Sequence, residues 1–299
     1  MTSFRRREAF MGYLFLTPWL LGFLIFLAGP MVASLYFSFT EYKVIKAPLW
    51  IGLANYQRML GDDLFWHSLS VTGRYTLASV PLGIAVALAL ATLLNQRIIL
   101  LGLFRTFFYL PSLVSGVAVA IVFAWLFNGQ FGVLNYLLSF VGIKGPNWLG
   151  SPSWALWAFV LMGLWGVGGN VVIFLAALQG VPRTLYEAAE IDGATPWRRF
   201  RHITLPMISP AILFVAIMGV IGSFQTFTQS YIMTGGGPAN STLFYLLYLY
   251  KNAFNWFEMG YASALAWLLF LVIILCTMLL LRTSARWVYY EGDTEKQGA

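Results

Sequence analysis

Long apolar runs separated by short polar connectors dominate the chain. Six of these runs have about the 20 residues that a helix needs to cross a lipid bilayer. They cover residues 11–39, 69–94, 106–127, 154–179, 208–232 and 261–281. The pattern therefore predicts an all-α membrane protein with six transmembrane helices.

Composition supports this prediction. Of the 299 residues, 60% are hydrophobic and only 10% are charged, whereas about 25% are charged in a typical soluble domain. Mean hydropathy is +0.76. The net charge of +7 is not gathered into one nucleic-acid-binding patch, because the basic residues stand at the ends of apolar runs, as in membrane proteins. A single cysteine, Cys276, excludes a disulfide framework.

Six spans place both chain termini on one side of the membrane, and basic residues are concentrated in the connectors of that side. These are Arg5, Arg6, Arg7, Arg97, Arg105, Arg183, Arg198, Arg199, Arg201, Arg282, Arg286 and Lys296, against Lys43, Lys46, Arg58, Lys144 and Lys251 opposite. The positive-inside rule then predicts cytoplasmic termini. We expect a cytoplasmic N-terminus at 1–10, a transmembrane domain at 11–282 and a cytoplasmic tail at 283–299.

The chain carries few groups for chemistry of its own. The apolar runs contain no Asp, Glu, Lys or His, and Arg74 and Arg105 stand near span edges, whereas ion-coupled carriers usually need ionisable groups in the bilayer. A phosphate-binding G-x-x-x-x-G-K-[ST] motif is absent from the sequence. His67 and His202 have no partners at metal-ligand spacing. We expect no catalytic residue, metal or bound cofactor, which favours one component of a larger machine over a self-contained carrier or a membrane enzyme.

One connector, between the fourth and fifth runs, is unusually polar. It reads TLYEAAEIDGATPWRRFRHITLP over residues 184–206. Thr184 and Glu187 have the spacing of a capping box, which predicts a helix over residues 185–191. Gly193 is suited to the left-handed conformation that ends such a helix.

A second short helix is expected to follow at once. Thr195 can cap it and Pro196 suits its first position, and Pro206 is expected to lie beyond its end. Two capped helices joined by a tight turn would form a defined cytoplasmic knob. The alternative is an ordinary loop whose arginines lie at lipid headgroups.

Polar residues within the spans are concentrated in the fourth and fifth runs. In the fifth, Gly222, Thr226 and Gln229 would share one helical face by their i+4 and i+3 spacing. Amide and hydroxyl groups beside an aromatic ring could line a path for a polar solute. The candidate lining of a substrate path is therefore Trp165, Asn170, Gln225, Thr226 and Gln229. The alternative is that these groups hydrogen-bond between helices as packing contacts.

The polar connector also resembles a known motif. The stretch EAAEIDGATPWRRFRHITLP is similar to the EAA loop of ABC importer permeases, which reads E-A-A-x-x-x-G, nine residues, then hydrophobic-x-L-P. The positions that fit its carbohydrate-uptake version are Glu187, Ala188, Ala189, Asp192, Gly193, Ala194, Phe200, Ile203, Leu205 and Pro206. Residues 52–60, 104–127 and 231–242 also resemble sugar and glycerol-phosphate permeases. The likeness is to compact six-span members, not to maltose-type subunits with extra N-terminal spans and a large outer domain.

This resemblance implies a type I ABC importer permease in a bacterial or archaeal inner membrane. The loop at 183–206 would contain a coupling helix that docks on an ATPase through Glu187, Ala188, Ala189, Asp192 and Gly193. The implied partners are a second homologous permease, two ATP-binding cassette subunits that use ATP and Mg, and an extracytoplasmic solute-binding protein; nucleic acid is not among them. A neutral sugar is the favoured cargo, because the spans show no cationic pocket for glycerol-phosphate and no acids for a polyamine. Another polar solute, or a secondary carrier, remains the alternative.

Overall fold

The computed structural model describes residues 3–96 and 99–289, so Arg97 and the tail beyond residue 289 lie outside the described residues. The α-helices are α1 (Ser3–Phe23), α2 (Gly29–Ser38), α3 (Ala54–Leu60), α4 (Asp63–Leu94), α5 (Leu101–Tyr109), α6 (Gly116–Leu126), α7 (Val133–Phe140), α8 (Pro152–Trp165), α9 (Gly168–Gln179), α10 (Arg183–Ile191), α11 (Pro196–Arg199), α12 (Leu205–Met207), α13 (Ser209–Phe224), α14 (Thr228–Met233), α15 (Tyr245–Tyr250) and α16 (Met259–Ser284). Leu24–Ala28, Phe200–Thr204 and Lys251–Asn255 are π-helical, and Leu110–Leu113 is 3₁₀-helical. Two short strands, β1 (Thr40–Glu41) and β2 (Leu49–Trp50), pair antiparallel.

The described part of the chain contains up to six membrane spans. Arg7–Ser38, Asp63–Leu94 and Met259–Ser284 are each long and apolar enough to cross a bilayer alone. The other three are bent pairs of helices, counted as one span each: Leu101–Leu113 with Gly116–Leu126 (98°), Pro152–Trp165 with Gly168–Gln179 (49°), and Pro196–Met207 with Ser209–Phe224 (65°). The prediction of an all-α protein with six spans is confirmed, although hydropathy gave no sign of the bends.

The fifth apolar run is not one continuous helix. Helix α13 ends at Phe224 and α14 begins at Thr228. Between them Phe227 adopts φ −134° and ψ −63°, outside the helical region. The prediction that Gly222, Thr226 and Gln229 share one helical face is therefore wrong, because the backbone changes direction between them. Non-helical backbone at membrane depth requires a cavity or surrounding protein.

The chain forms two compact units. The first comprises the described residues up to Asp62 together with Leu249–Phe270. In it the buried Asn55 side chain donates hydrogen bonds to the carbonyl oxygens of Ser38 (3.0 Å) and Thr40 (2.9 Å). Arg58 forms a 2.7 Å ion pair with Glu258. These contacts fix the β1–β2 hairpin and α3 beside the start of α16.

The second unit, Asp63–Tyr248 with the described residues from Leu271 onwards, is built around α4. Helices α8, α9 and α13 all pack against α4. The core on the α9 side contains Ala87, Leu88, Ala91, Val171, Phe174, Leu178, Ile208 and Val215. Buried polar contacts join the helices as well: the Thr76 and Ser223 hydroxyls are 2.8 Å apart between α4 and α13.

One glycine permits an unusually close helix approach. A Cβ atom on Gly168, at the start of α9, would collide with the carbonyl oxygen of Phe108 in α5. Glycine is needed where one backbone lies this close to another. The close contact between α9 and α5 therefore depends on this position.

Candidate functional site

Helix α10 forms the first part of the polar loop and begins at Arg183, two residues earlier than expected. Its N-cap is Pro182, with φ −58° and ψ 129°, and no side-chain capping hydrogen bond is present there. The extended backbone of Pro182 allows the helix to start at Arg183, so Thr184 is already inside it. The predicted capping box of Thr184 and Glu187 is therefore wrong.

The turn out of α10 and the start of α11 match the sequence prediction. Gly193 has φ +70°, and the amide of Ala194 donates to the carbonyl of Ala189 at 2.9 Å. The Thr195 hydroxyl accepts a hydrogen bond from the Arg198 amide at 3.4 Å, and Pro196 occupies the first helical turn. This tight turn sets α11 directly after α10.

The second helical segment continues past its expected end. It runs from α11 through the π-helical turn Phe200–Thr204 into α12, which contains Pro206 and ends at Met207. A proline disrupts an α-helix because it lacks an N–H and clashes with the carbonyl four residues earlier. The wider π-helical turn before Pro206 changes that spacing, so the prediction that the helix ends before Pro206 is wrong.

Side-chain contacts hold the two parts of the loop together. The Tyr186 hydroxyl in α10 lies 2.9 Å from the Thr204 hydroxyl, and Glu190 forms an ion pair with Arg199. Tyr186 and Phe200 also pack against the buried cluster of α4, α9 and α13. The loop is thus a folded knob attached to the helix bundle.

The outward face of the knob carries most of the predicted coupling residues. Glu187, Ala188, Asp192 and Gly193 are exposed and Ala189 is half-buried. Two apolar side chains that the sequence analysis did not single out share this exposure: Ile191 is 88% exposed and Trp197 is 66% exposed. Their signal in the sequence was their isolation within a polar segment. Large exposed apolar groups rimmed by charge are typical of a docking surface.

A cavity of about 440 Å³ lies between α4, the α8–α9 pair and α13. Its lining consists of Tyr75, Ser79, Val80, Gly83, Ile84, Val160, Gly163, Gly166, Val167, Asn170, Val215, Gly219, Gly222, Ser223, Thr226 and Gln229. We call it the central cavity. Its polar groups are hydroxyls and amides, and none of these lining side chains is a charged one.

The structure brings three of the five predicted path residues together. Asn170, Thr226 and Gln229 all line the central cavity. Trp165 and Gln225 are not among its lining residues. The Trp165 ring instead meets Phe123 edge to face at 5.5 Å, because α8 ends at Trp165 and the chain bends there. Gln225 is exposed at the break that follows α13.

Glycines create much of the space in the central cavity. A Cβ atom added to Gly222 would have no heavy atom within 4 Å, and one added to Gly163 would lie 3.5 Å from the Tyr75 hydroxyl oxygen. That hydroxyl lies close to the side chains of Ser79 and Thr226. Sequence reasoning missed Tyr75 and Ser79, although two polar residues four apart in an apolar run place a polar spot on one helical face.

Comparison with known proteins places this architecture in a family. The family model for the binding-protein-dependent transport system inner membrane component matches residues 79–289, which include the whole polar loop and every lining residue of the central cavity except Tyr75. The chain belongs to this family. The permease is thus a multi-pass membrane subunit of a binding-protein-dependent transport system, and the sequence resemblance is confirmed.

Full-length relatives agree with this assignment. The permease is 46% identical over 295 residues to the probable ABC transporter permease protein YesP of Bacillus subtilis, covering 97% of this chain and 95% of that protein. It is 36% identical to the lactose transport system permease protein LacF of Rhizobium radiobacter, over 93% of this chain and 95% of the relative. It is 33% identical to the trehalose/maltose transport system permease protein MalF of Thermococcus litoralis, over 94% and 96%.

A solved structure has the same fold. The permease superposes with a TM-score of 0.81 and 25% identity on a chain of a bacterial ABC transporter involved in the import of the acidic polysaccharide alginate. The match covers 94% of this chain and 96% of the other. The bent spans are therefore part of an architecture found in ABC importers.

Proposed function

We propose that the permease carries a sugar across a bacterial or archaeal inner membrane in an ATP-driven importer. The observation that carries the proposal is the coexistence, in one compact unit, of an exposed knob at α10–α11 and an uncharged polar cavity between α4, α8–α9 and α13. Names of relatives support the cargo class, since LacF and MalF are named for lactose and for trehalose and maltose. Glycerol-phosphate or another polar solute is the alternative cargo.

The knob is the proposed contact with an ATPase subunit. Glu187 and Asp192 would meet polar groups of the partner, while Ala188 and Ala189 permit close approach and Gly193 forms the turn. Exposed Ile191 and Trp197 add apolar area to this surface. In this proposal two ATP-binding cassette subunits bind ATP and Mg and perform the hydrolysis, so the permease is not itself an enzyme.

Two further partners complete the proposed machine. A second homologous permease would form the other half of the pathway, and an extracytoplasmic binding protein would deliver the sugar. Both termini of the chain would be cytoplasmic, on the side of the knob, in line with the distribution of basic residues. The start of α4 would then face the exterior.

The geometry suggests how movement of the knob changes the cavity. Helices α11 and α12 join α13 at a 65° bend, and Ile208 at this bend is buried in the core. A displacement of the knob would therefore tilt α13 against α4, and residues of both helices line the central cavity. Such rocking of rigid helices around a fixed site is the principle of alternating access.

Sugar hydroxyls would be recognised by Asn170, Thr226 and Gln229 together with Tyr75. Amide and hydroxyl groups can each donate and accept hydrogen bonds, which matches the hydroxyls of a saccharide. Trp165 and Gln225 do not line the cavity, so the proposed contact set omits them. Because no charged side chain lines the central cavity, the sugar would be bound weakly enough to be released on the other side of the membrane.

The test is the ATPase activity of the assembled complex in nanodiscs, with its binding protein and a panel of neutral and acidic saccharides. We expect one loaded saccharide to stimulate hydrolysis and Glu187→Lys to abolish that stimulation. Glu8→Lys, a matched charge reversal of an exposed carboxylate in α1, should leave it intact. Unchanged stimulation in Glu187→Lys would refute the coupling role, and solute movement by the chain without any ATPase would refute the importer itself.

A further inference from the structure

A second cavity, of about 640 Å³, lies at the other end of α4 and α8 from the knob. Its lining consists of His67, Arg74, Leu77, Ala78, Pro152, Ser153, Leu156, Trp157, Val160, Ala239 and Ser241. We call it the outer cavity, because the proposed orientation places this end of α4 outside. Its volume is within the usual range for a small-molecule site.

The lining of the outer cavity includes one arginine, Arg74, and no carboxylate that could pair with it. Arg74 is exposed, and its guanidinium donates hydrogen bonds, both 3.3 Å long, to the backbone and side-chain oxygens of Ser70 in the same helix. The ion pairs found among the described residues involve other cations: Lys43, Arg58 and Arg199. Since an arginine guanidinium carries five N–H donors, Arg74 has donors left for an anion.

Two further polar side chains, His67 and Ser241, line the outer cavity. His67 Nε2 lies 2.9 Å from the carbonyl oxygen of Asn240, which can only accept, so Nε2 carries the hydrogen and the ring is held in place. The Ser241 hydroxyl is buried and has no hydrogen-bond partner among the described residues. Rotation of Ser241 towards a ligand would therefore break no existing hydrogen bond.

An aromatic ring and the position of the cavity point to a saccharide. Trp157 lines the outer cavity and is half-exposed, so its face can pack against a sugar ring. Val160 lines both the outer and the central cavity, which places the two cavities next to each other. A solute in the outer cavity is thus adjacent to the proposed path.

We propose that the outer cavity binds a saccharide that carries a carboxylate, with Arg74 as the anion partner, Ser241 and Ser153 as hydroxyl partners and Trp157 beneath the sugar ring. This inference rests on the proposed function and narrows it from sugars in general to acidic sugars. It also revises the expectation of a neutral cargo, which relied on the apparent lack of a cationic pocket. Arg74 was visible in the sequence, but its grouping with His67 and Trp157 was not.

The test measures binding of digalacturonate and of its uncharged dimethyl ester to the assembled complex in nanodiscs of phosphatidylcholine. We expect the acid to bind more tightly than the ester, and Arg74→Gln to weaken binding of the acid at least about tenfold, as for the loss of a charge-assisted hydrogen bond. Binding of the ester should be nearly unchanged. Lys144→Gln removes another exposed cation from a connector, outside the outer cavity, and should affect neither ligand.

Several results would overturn the inference. Equal weakening of acid and ester would indicate a structural effect of Arg74→Gln, and no weakening would exclude Arg74 as the anion partner. If phosphatidylglycerol added to the nanodiscs is retained by the unaltered complex, lost in Arg74→Gln and not displaced by digalacturonate, the cavity is a lipid site. Failure here is distinguishable from failure of the importer proposal, because stimulation of the ATPase by a neutral sugar would persist.

Discussion

The hydroxyl groups of Tyr186 and Thr204 lie 2.9 Å apart, so a hydrogen bond joins the exposed helix α10 to the helical segment that leads into α13. Thr204 is buried, and Tyr186 packs on the core cluster that includes α4 and α9. This contact links α10 directly to the membrane helices, and in the proposed importer it would pass a movement of α10 on to them. The adjacent pair of Glu190 and Arg199 contributes less, because ion pairs at exposed positions are weak.

Removal of this hydrogen bond should loosen the knob. We expect Tyr186→Phe and Thr204→Val each to cost about 1 kcal/mol of stability, and the double variant to cost less than the sum, since both remove the same contact. Thermal unfolding of the purified complex would measure the loss of stability. The ratio of sugar imported to ATP hydrolysed would measure the loosening of the knob. Glu190→Gln serves as the comparison and should change the unfolding midpoint less. Strictly additive costs would show that the two hydroxyls do not interact.

The turn at Gly193 should be sensitive to side-chain type. With φ +70°, an alanine there would be strained by about 1–2 kcal/mol, whereas asparagine tolerates this conformation better. We expect Gly193→Ala to reduce the amount of ATPase that co-purifies with the permease, and Gly193→Asn to reduce it less. Gly180→Ala, at a right-handed φ of −77°, is the control. Equal loss in all three variants would argue against a conformational cause.

The central cavity should be closed by a side chain at Gly222. A Cβ atom there meets no heavy atom within 4 Å, so Gly222→Leu should fold normally and fill space that the cargo needs. We expect import to fall at least about tenfold while the unfolding midpoint stays within about 2 °C, as for a substitution that adds no strain. Gly73→Leu is matched, since its Cβ also enters open space but lines neither cavity. Normal import in Gly222→Leu would exclude the central cavity from the path.

The close approach of α9 to α5 should depend on Gly168. Its Cβ would collide with the Phe108 carbonyl oxygen, whereas a Cβ on the neighbouring Gly169 has nothing within 4 Å. Overpacking of this kind costs about 1–3 kcal/mol, so Gly168→Ala should lower the unfolding midpoint by about 2–10 °C. Gly169→Ala should leave it nearly unchanged. Identical midpoints for the two variants would contradict the observed helix approach.

The apolar pattern predicted the number of spans because crossing a bilayer needs a fixed length of hydrophobic helix. It could not predict their bends, because hydropathy measures how strongly each side chain favours lipid over water and carries no information on the direction of the backbone. The break between Phe224 and Thr228 lies inside an apolar run with no proline to mark it. It depends on tertiary packing, which a single run does not encode.

Within the loop, single residues predicted the structure correctly where the backbone conformation admits only a few residue types. Gly193 and Thr195 behave as expected because a left-handed turn and an N-cap each favour few residues. Thr184 does not, because Pro182 begins the helix earlier and competes with the capping box. The lining of the central cavity was predicted in part. Asn170 and Gln229 could be identified because they are polar residues in apolar runs, but only the fold shows that the Trp165 ring packs against Phe123 instead.

The many glycines around the central cavity have a consequence for how such permeases diversify. Gly83, Gly163, Gly166, Gly219 and Gly222 all contribute to its wall. A single nucleotide change can turn a glycine codon into one for alanine, serine, valine or an acidic residue, and at Gly222 the new side chain would meet open space. The shape and polarity of the central cavity can thus change one small step at a time, without any change in the exposed knob at α10–α11.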